Sequence, residues 1–307
     1  IWITGGQFKI PEKQQEVMSS VPLSSWPQES KDKLGYIVIF TALFVTGLMW
    51  YTNEIKQGQL LTEVNLLHPI SFFETKWLYA YLLAFTGVFP LLFGFIPKPN
   101  FYGQFLRVAL ANIPVTSLFI LWDYYFTKQG VWGFSTSYTT GLQLIGLPWE
   151  EILFFIIIPT ACIFIYWSLN TVIKKEPFAK AENMITVVLI FVFLLIGLWK
   201  WEHIYTSTAF MLSGFLLLYH WLFVKPGYRG RFYLAYLVTC IPFLIVNGVL
   251  TGGFTEGPVV MYNPEENFGV RIGTVPVDDF AYSFLMLFAN ISLFEAFGNR
   301  FTSKEKI

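Results

Sequence analysis

Pro148-Trp149-Glu150-Glu151 opens an apolar run, Ile152-Leu153-Phe154-Phe155-Ile156-Ile157-Ile158-Pro159 and onward to Leu169. A helix that crosses a bilayer needs roughly 20 mostly apolar residues, and this run meets that length. Two carboxylates at the mouth of such a run are costly, which marks them as functional candidates. The same pattern returns as Pro276-Val277-Asp278-Asp279, again leading into an apolar run.

Working outward, eight segments qualify as spans: 34–51, 77–96, 105–126, 148–169, 184–200, 206–224, 231–251 and 276–297. Charged residues make up 13 % of the chain, against roughly 25 % in soluble domains. The expected fold is therefore an all-α, polytopic transmembrane bundle of about eight spans, seven of them a core. Lys plus Arg equals Asp plus Glu at 20 each, so net charge points to no nucleic-acid partner. Fifteen of the 20 basic residues fall on the side of the termini, counting alternately across eight spans. The positive-inside rule then places both termini in the cytoplasm, with the cell's inner or plasma membrane as the expected location. Twelve of the 20 carboxylates lean toward the opposite, outer side. The first residue is Ile1 instead of Met, so a preceding segment is expected; residues 1–33 are polar and show no signal-peptide pattern.

A shift of about 127 residues superimposes two halves of the chain. Lys98-Pro99 falls on Lys225-Pro226, Phe101-Tyr102-Gly103-Gln104-Phe105 on Tyr228-Arg229-Gly230-Arg231-Phe232, and, with a slip of one, Pro114 on Pro242 and the first acidic motif on the second. Three spans per unit with one span between them give both units the same orientation, a parallel repeat about the membrane normal. The two acidic motifs then lie at one depth and can converge. The expected organisation is 1–75, a polar segment plus an accessory span; 76–170, the first repeat; 171–204, a linking span; 205–299, the second repeat; and 300–307, a cytoplasmic tail.

Paired carboxylates in a poorly solvated space suit acid–base work, because one of them keeps a proton near neutral pH. The same oxygens can instead bind a divalent cation, and residue type alone leaves both uses open. Helix-start chemistry explains one such motif, since carboxylates favour the positive helix end, but not its recurrence. Asp123, in the last turn of its span, is placed to join Glu150 and Glu151. Most of the 33 Phe, 16 Tyr and 11 Trp are lipid-facing, core or interfacial. Trp122, Trp132 and Trp149, beside the acids, have π faces suited to a carbocation. Cys162 and Cys240 lie in apolar runs, the three histidines share no ligand spacing, and no dinucleotide or Walker motif occurs. No cofactor is expected, a divalent cation being the alternative.

The chain resembles the small integral-membrane lycopene cyclases, which occur as two subunits or one fused chain. The resemblance runs from about Lys76 to Phe297. It rests on Trp122-Asp123, Phe126-Thr127-x-x-Gly130-Val131-Trp132-Gly133-Phe134 and Pro148-Trp149-Glu150-Glu151 in the first half. In the second half it rests on Asn247-Gly248, Val260-x-Tyr262-Asn263, Glu265-Glu266-Asn267, Arg271 and Pro276-Val277-Asp278-Asp279-Phe280. It implies cyclisation of lycopene ψ-ends to β-rings without net redox change. It also implies Glu150 or Glu151 with Asp278 or Asp279 as acid and base, assisted by Asp123. Trp122, Trp132, Trp149, Asn247, Tyr262, Glu265 and Arg271 are then the substrate-binding candidates. The implied partners are a carotenoid in the bilayer and membrane lipids, with other carotenoid-pathway enzymes as candidates. The alternatives are a cyclase or hydratase of a longer carotenoid and, from another class, a membrane transporter.

Overall fold

The computed structural model describes residues 27–56, 58–62, 68–96, 98–224 and 227–304, with side chains described as far as Gly298. The polar segment 1–26 and residues 305–307 of the tail lie outside the described residues. Each apolar run forms a helix: α1 (Gln28–Thr52), α2 (Leu78–Phe93), α3 (Phe105–Gln129), α4 (Trp149–Val172), α5 (Glu182–Trp199), α6 (Ile204–Phe223), α7 (Arg229–Leu250) and α8 (Val277–Lys304). Seven are long and apolar enough to cross a membrane. The eighth, α2, has 16 residues, a rise of about 24 Å against a hydrocarbon core of about 30 Å.

The acidic motifs begin helices for a local reason. Pro148 caps α4 from an extended conformation (φ −57°, ψ 139°), and its missing N–H needs no partner there. Just before it, β2 (Gln143–Leu144) and β3 (Leu147–Pro148) form a tight hairpin whose turn residues, Ile145 and Gly146, both have positive φ. In the second half β5 (Arg271–Ile272) and β6 (Val275–Pro276) form the matching hairpin before α8. The backbone copies itself: Trp149 N donates to Leu142 O at 3.1 Å, and Val277 N donates to Val270 O at 3.0 Å.

The two halves meet on a third ladder. β1 (Trp132–Phe134) pairs antiparallel with β4 (Val260–Tyr262), with Gly133 opposite Met261 at its centre. These two residues are equivalents in the repeat, so a local twofold axis passes between them. The flanking bonds obey it: Asn263 N donates to Val131 O and Ser135 N donates to Val259 O, each at 2.9 Å. Helix packing follows the same axis. Within halves α2 packs on α4 and α6 on α8; across halves α3 packs on α8 and α7 on α4. The acid-bearing helices α4 and α8 therefore sit at the centre.

Two helices break the symmetry. Both α1 and α5 pack on α6, whereas among the described residues no helix packs on α2 in the equivalent way. From α1 the chain continues as a strap over the central ladder. Lys56 N donates to Glu266 Oε1 at 2.5 Å and Leu61 N donates to Tyr262 O at 3.0 Å. Leu60 lies so close to Gly133 that a Cβ there would meet its Cδ1 at 2.8 Å, so a larger residue beneath the strap would have to displace the Leu60 side chain.

Candidate active site

Neighbouring residues on a helix point roughly 100° apart, so the two acids of each motif cannot do the same thing. Glu150 turns back to the loop before it, where its Oε1 accepts from Thr140 N at 2.8 Å and from Thr140 Oγ1 at 2.7 Å. Asp278 does likewise: its Oδ1 accepts from Thr206 Oγ1, and both its oxygens accept from Phe268 N at 3.1 Å. Thr140 and Phe268 are equivalents in the repeat, so Glu150 and Asp278 are a matched pair of loop clasps. Neither lines the cavity described next.

Glu151 and Asp279 face inward, to one end of a cavity of about 330 Å³ that runs among α2, α4, α7 and α8. Each is held by a tyrosine from the first helix of its own repeat. Tyr79 OH donates to Glu151 Oε2 at 2.5 Å, and Tyr205 OH donates to Asp279 Oδ1 at 2.6 Å. Asp279 has a second phenol: Tyr262 OH donates to its Oδ2 at 2.9 Å. Burial, and next the Asp279 carboxylate, push the Tyr262 phenol well above its ordinary pKa, so it remains a donor.

Asp123 lines the cavity as well. Its Oδ1 accepts from Trp132 Nε1 at 2.5 Å, and its buried Oδ2 has no hydrogen-bond partner. Thr251 stands at the equivalent position of the second half, and Phe134 at the position equivalent to Tyr262. Rings close around the acids: Trp132 lies edge-on to Tyr205 at 5.0 Å, Tyr205 stacks on Tyr262 at 6.0 Å, and Tyr282 sits 6.0 Å from Tyr205. The Tyr282 hydroxyl is buried without a partner. Among the described residues no lysine or arginine lines the cavity with the three inward carboxyls.

Of the binding candidates, Trp132, Asn247 and Tyr262 line the cavity. Trp122 lies behind it, its ring 5.0 Å from that of Tyr282. Trp149 Nε1 donates to Thr140 Oγ1 at 2.6 Å, so this side chain belongs to the loop clasp. Arg271 lies over the Tyr262 ring at 5.6 Å and ties its own hairpin by donating to Thr274 O at 2.5 Å. Glu265 is exposed, away from the cavity; its buried neighbour Glu266 accepts from Ile204 N at 2.9 Å and so caps α6. Tyr79, Tyr205 and Tyr282 are not marked out by any motif in the sequence. The repeat itself could have found the first two, because Tyr79 and Tyr205 occupy matching first turns.

A family model described as lycopene cyclase matches residues 76–169 and 202–297. The chain belongs to the lycopene cyclase family. This carotenoid cyclase is an integral membrane protein, and the two matched segments coincide with the two structural repeats. All three inward acids and the tyrosines that hold them fall inside the matched segments, while α1, the strap and α5 lie outside. No curated protein and no solved structure matches the chain. Among the described residues, no cluster of three or more His, Cys, Asp and Glu is disposed to hold a metal ion.

Proposed function

We propose that this cyclase closes the ψ-ends of lycopene into β-rings by proton addition and proton loss within the membrane. A proton goes to C2 of the terminal C1=C2 alkene and leaves a cation at C1. The electrons of C5=C6 form the C1–C6 bond and move the cation to C5. Loss of the C6 proton then makes the new C5=C6 bond. No electrons enter or leave, and the proton consumed is matched by the proton released.

The observation that carries this reading is the convergence of Glu151, Asp279 and Asp123 on one end of an apolar cavity walled by aromatic rings. Carboxyls crowded in such a space are relieved by a proton held among them. Both oxygens of Asp279 already accept phenol hydrogens, which suits it to remain an anion, to steady the cation and to take the proton back. Asp123 has an oxygen with no partner and Glu151 has one phenol donor instead of two. This side is the one suited to carry and deliver the proton. The faces of Trp132, Tyr205 and Tyr282 offer π density to the cation between the two transfers.

The test is expression of the full chain in cells that accumulate lycopene, followed by pigment separation. Carotenes with β-rings are the expected outcome. A membrane-inserted, folded protein that leaves lycopene unchanged would overturn the reading; a ring of another type would limit the error to the site of proton loss.

A further inference from the structure

The cavity has one acid end, and its other reaches lie among residues that are exposed on the outside of the bundle. Phe85 and Phe89 of α2 line the cavity while 52 % and 42 % exposed. Across from them Pro242, also exposed, and the half-buried Phe243 of α7 line the same space. Near the acids the two helices close on each other, where Leu82 and Leu83 join Val246 and Leu250 in one buried cluster. Among the described residues no extended packing seam joins these two helices, and both pack on α4 instead. On the equivalent side of the second half, α1 and α5 cover α6, and Met211, the equivalent of Phe85, is buried at 3 % exposure.

We propose that the gap between α2 and α7 is a lateral portal through which a linear polyene enters from the bilayer, one end at a time. The inference rests on the cyclase reading and adds the route and the order of events to it. Along α4 the cavity lining runs from Glu151 to Ile165, about 21 Å of helix. It holds one acid cluster at its closed end, so the unreacted remainder of the chain lies back through the portal in lipid. Both ends of one molecule cannot reach the acids together. A carotenoid is therefore released after its first ring and must re-enter reversed to gain a second.

The proposal is tested on the full chain in lipid nanodiscs, comparing Thr86→Trp and Phe243→Trp, which fill the portal, with Leu92→Trp. Leu92 lies on the exposed surface of α2, outside the cavity lining. Two quantities are read: lycopene turnover, and the induced circular dichroism of lycopene bound in its chiral site. The expected result is a loss of turnover and of the dichroic signal of about tenfold or more in both portal variants, equivalent to about 1.4 kcal/mol, with Leu92→Trp matching wild type. In wild type, monocyclic product is expected free in the lipid before bicyclic product forms. Portal variants that bind and turn over lycopene like wild type, or bicyclic product with no free monocyclic precursor, would overturn the proposal. A wild type that binds lycopene but forms no ring refutes the cyclase reading alone, because the dichroic signal still tests the portal.

Discussion

The two halves of this cyclase share a skeleton down to single backbone hydrogen bonds, yet they do not present the same chemistry. In the first, the inward acid Glu151 has one phenol donor, and Asp123 adds a second carboxyl with a free oxygen. In the second, the inward acid Asp279 has two phenol donors, and Thr251 stands where the extra carboxyl would be. A symmetric pair of acids can neither prefer to give nor prefer to take a proton. On the proposed mechanism the departures at positions 123 and 262 would supply that preference, one adding a carboxyl with an unpartnered oxygen and the other an extra hydrogen bond to Asp279.

Removing either inward acid breaks the comparison outright. Glu151→Gln and Asp279→Asn keep the shape and the hydrogen-bond acceptor but lose the ionisable oxygen. Each is expected to slow ring formation by about 10²–10⁴-fold, the usual weight of a proton-transfer group, measured as β-ring carotenes formed per folded enzyme. If one variant alone is impaired, the division into donor and acceptor is wrong.

Making the halves more alike should have a smaller effect. Tyr262→Phe places at the second half the residue type found at the equivalent Phe134, and it removes one hydrogen bond to Asp279. A hydrogen bond to a charged group is worth about 1.5–3 kcal/mol, so a loss of roughly 10- to 150-fold in turnover is expected. Lycopene binding should stay within about twofold if the lost bond acts mainly in the transition state. A binding loss as large as the rate loss would make Tyr262 part of the cavity wall and nothing more.

The clasps should respond least in rate and most in stability. Glu150→Ala and Asp278→Ala each leave a loop N–H without its acceptor, at a cost of about 1–3 kcal/mol. A lower Tm is expected in both, with the folded fraction keeping activity within about tenfold, below the range of a proton-transfer group. A rate loss as large as that of Glu151→Gln would return these two residues to the chemistry.

Much of this was legible in the residues. Long apolar runs located all eight described α-helices, because lipid leaves the backbone few other solutions. The common offset of the proline and acidic motifs exposed the repeat. Residue type alone leaves Glu150 and Glu151, and Asp278 and Asp279, interchangeable, although helix geometry already sets neighbours about 100° apart. Which of each pair turns inward depends on where the preceding hairpin offers its N–H groups, and that is a matter of tertiary structure. Trp149 and Glu265 were drawn toward the site by sequence proximity; the fold uses the first for the loop clasp and exposes the second. Tyr79 and Tyr205 went unseen because a tyrosine in an apolar span looks like any other aromatic until its hydroxyl has a partner.

The ladder at Gly133 and Met261 carries one more consequence. Strands that pair about a twofold axis make the contact of a closed symmetric dimer, here contained within a single chain. Identical subunits would have to change both sides of such a contact at once, and any new side chain would face its own copy. Two covalently joined copies are free of that restriction. One half carries an extra acid at Asp123 and the other an extra phenol at Tyr262, and the proposed exchange of a proton between unlike sites would draw on that freedom.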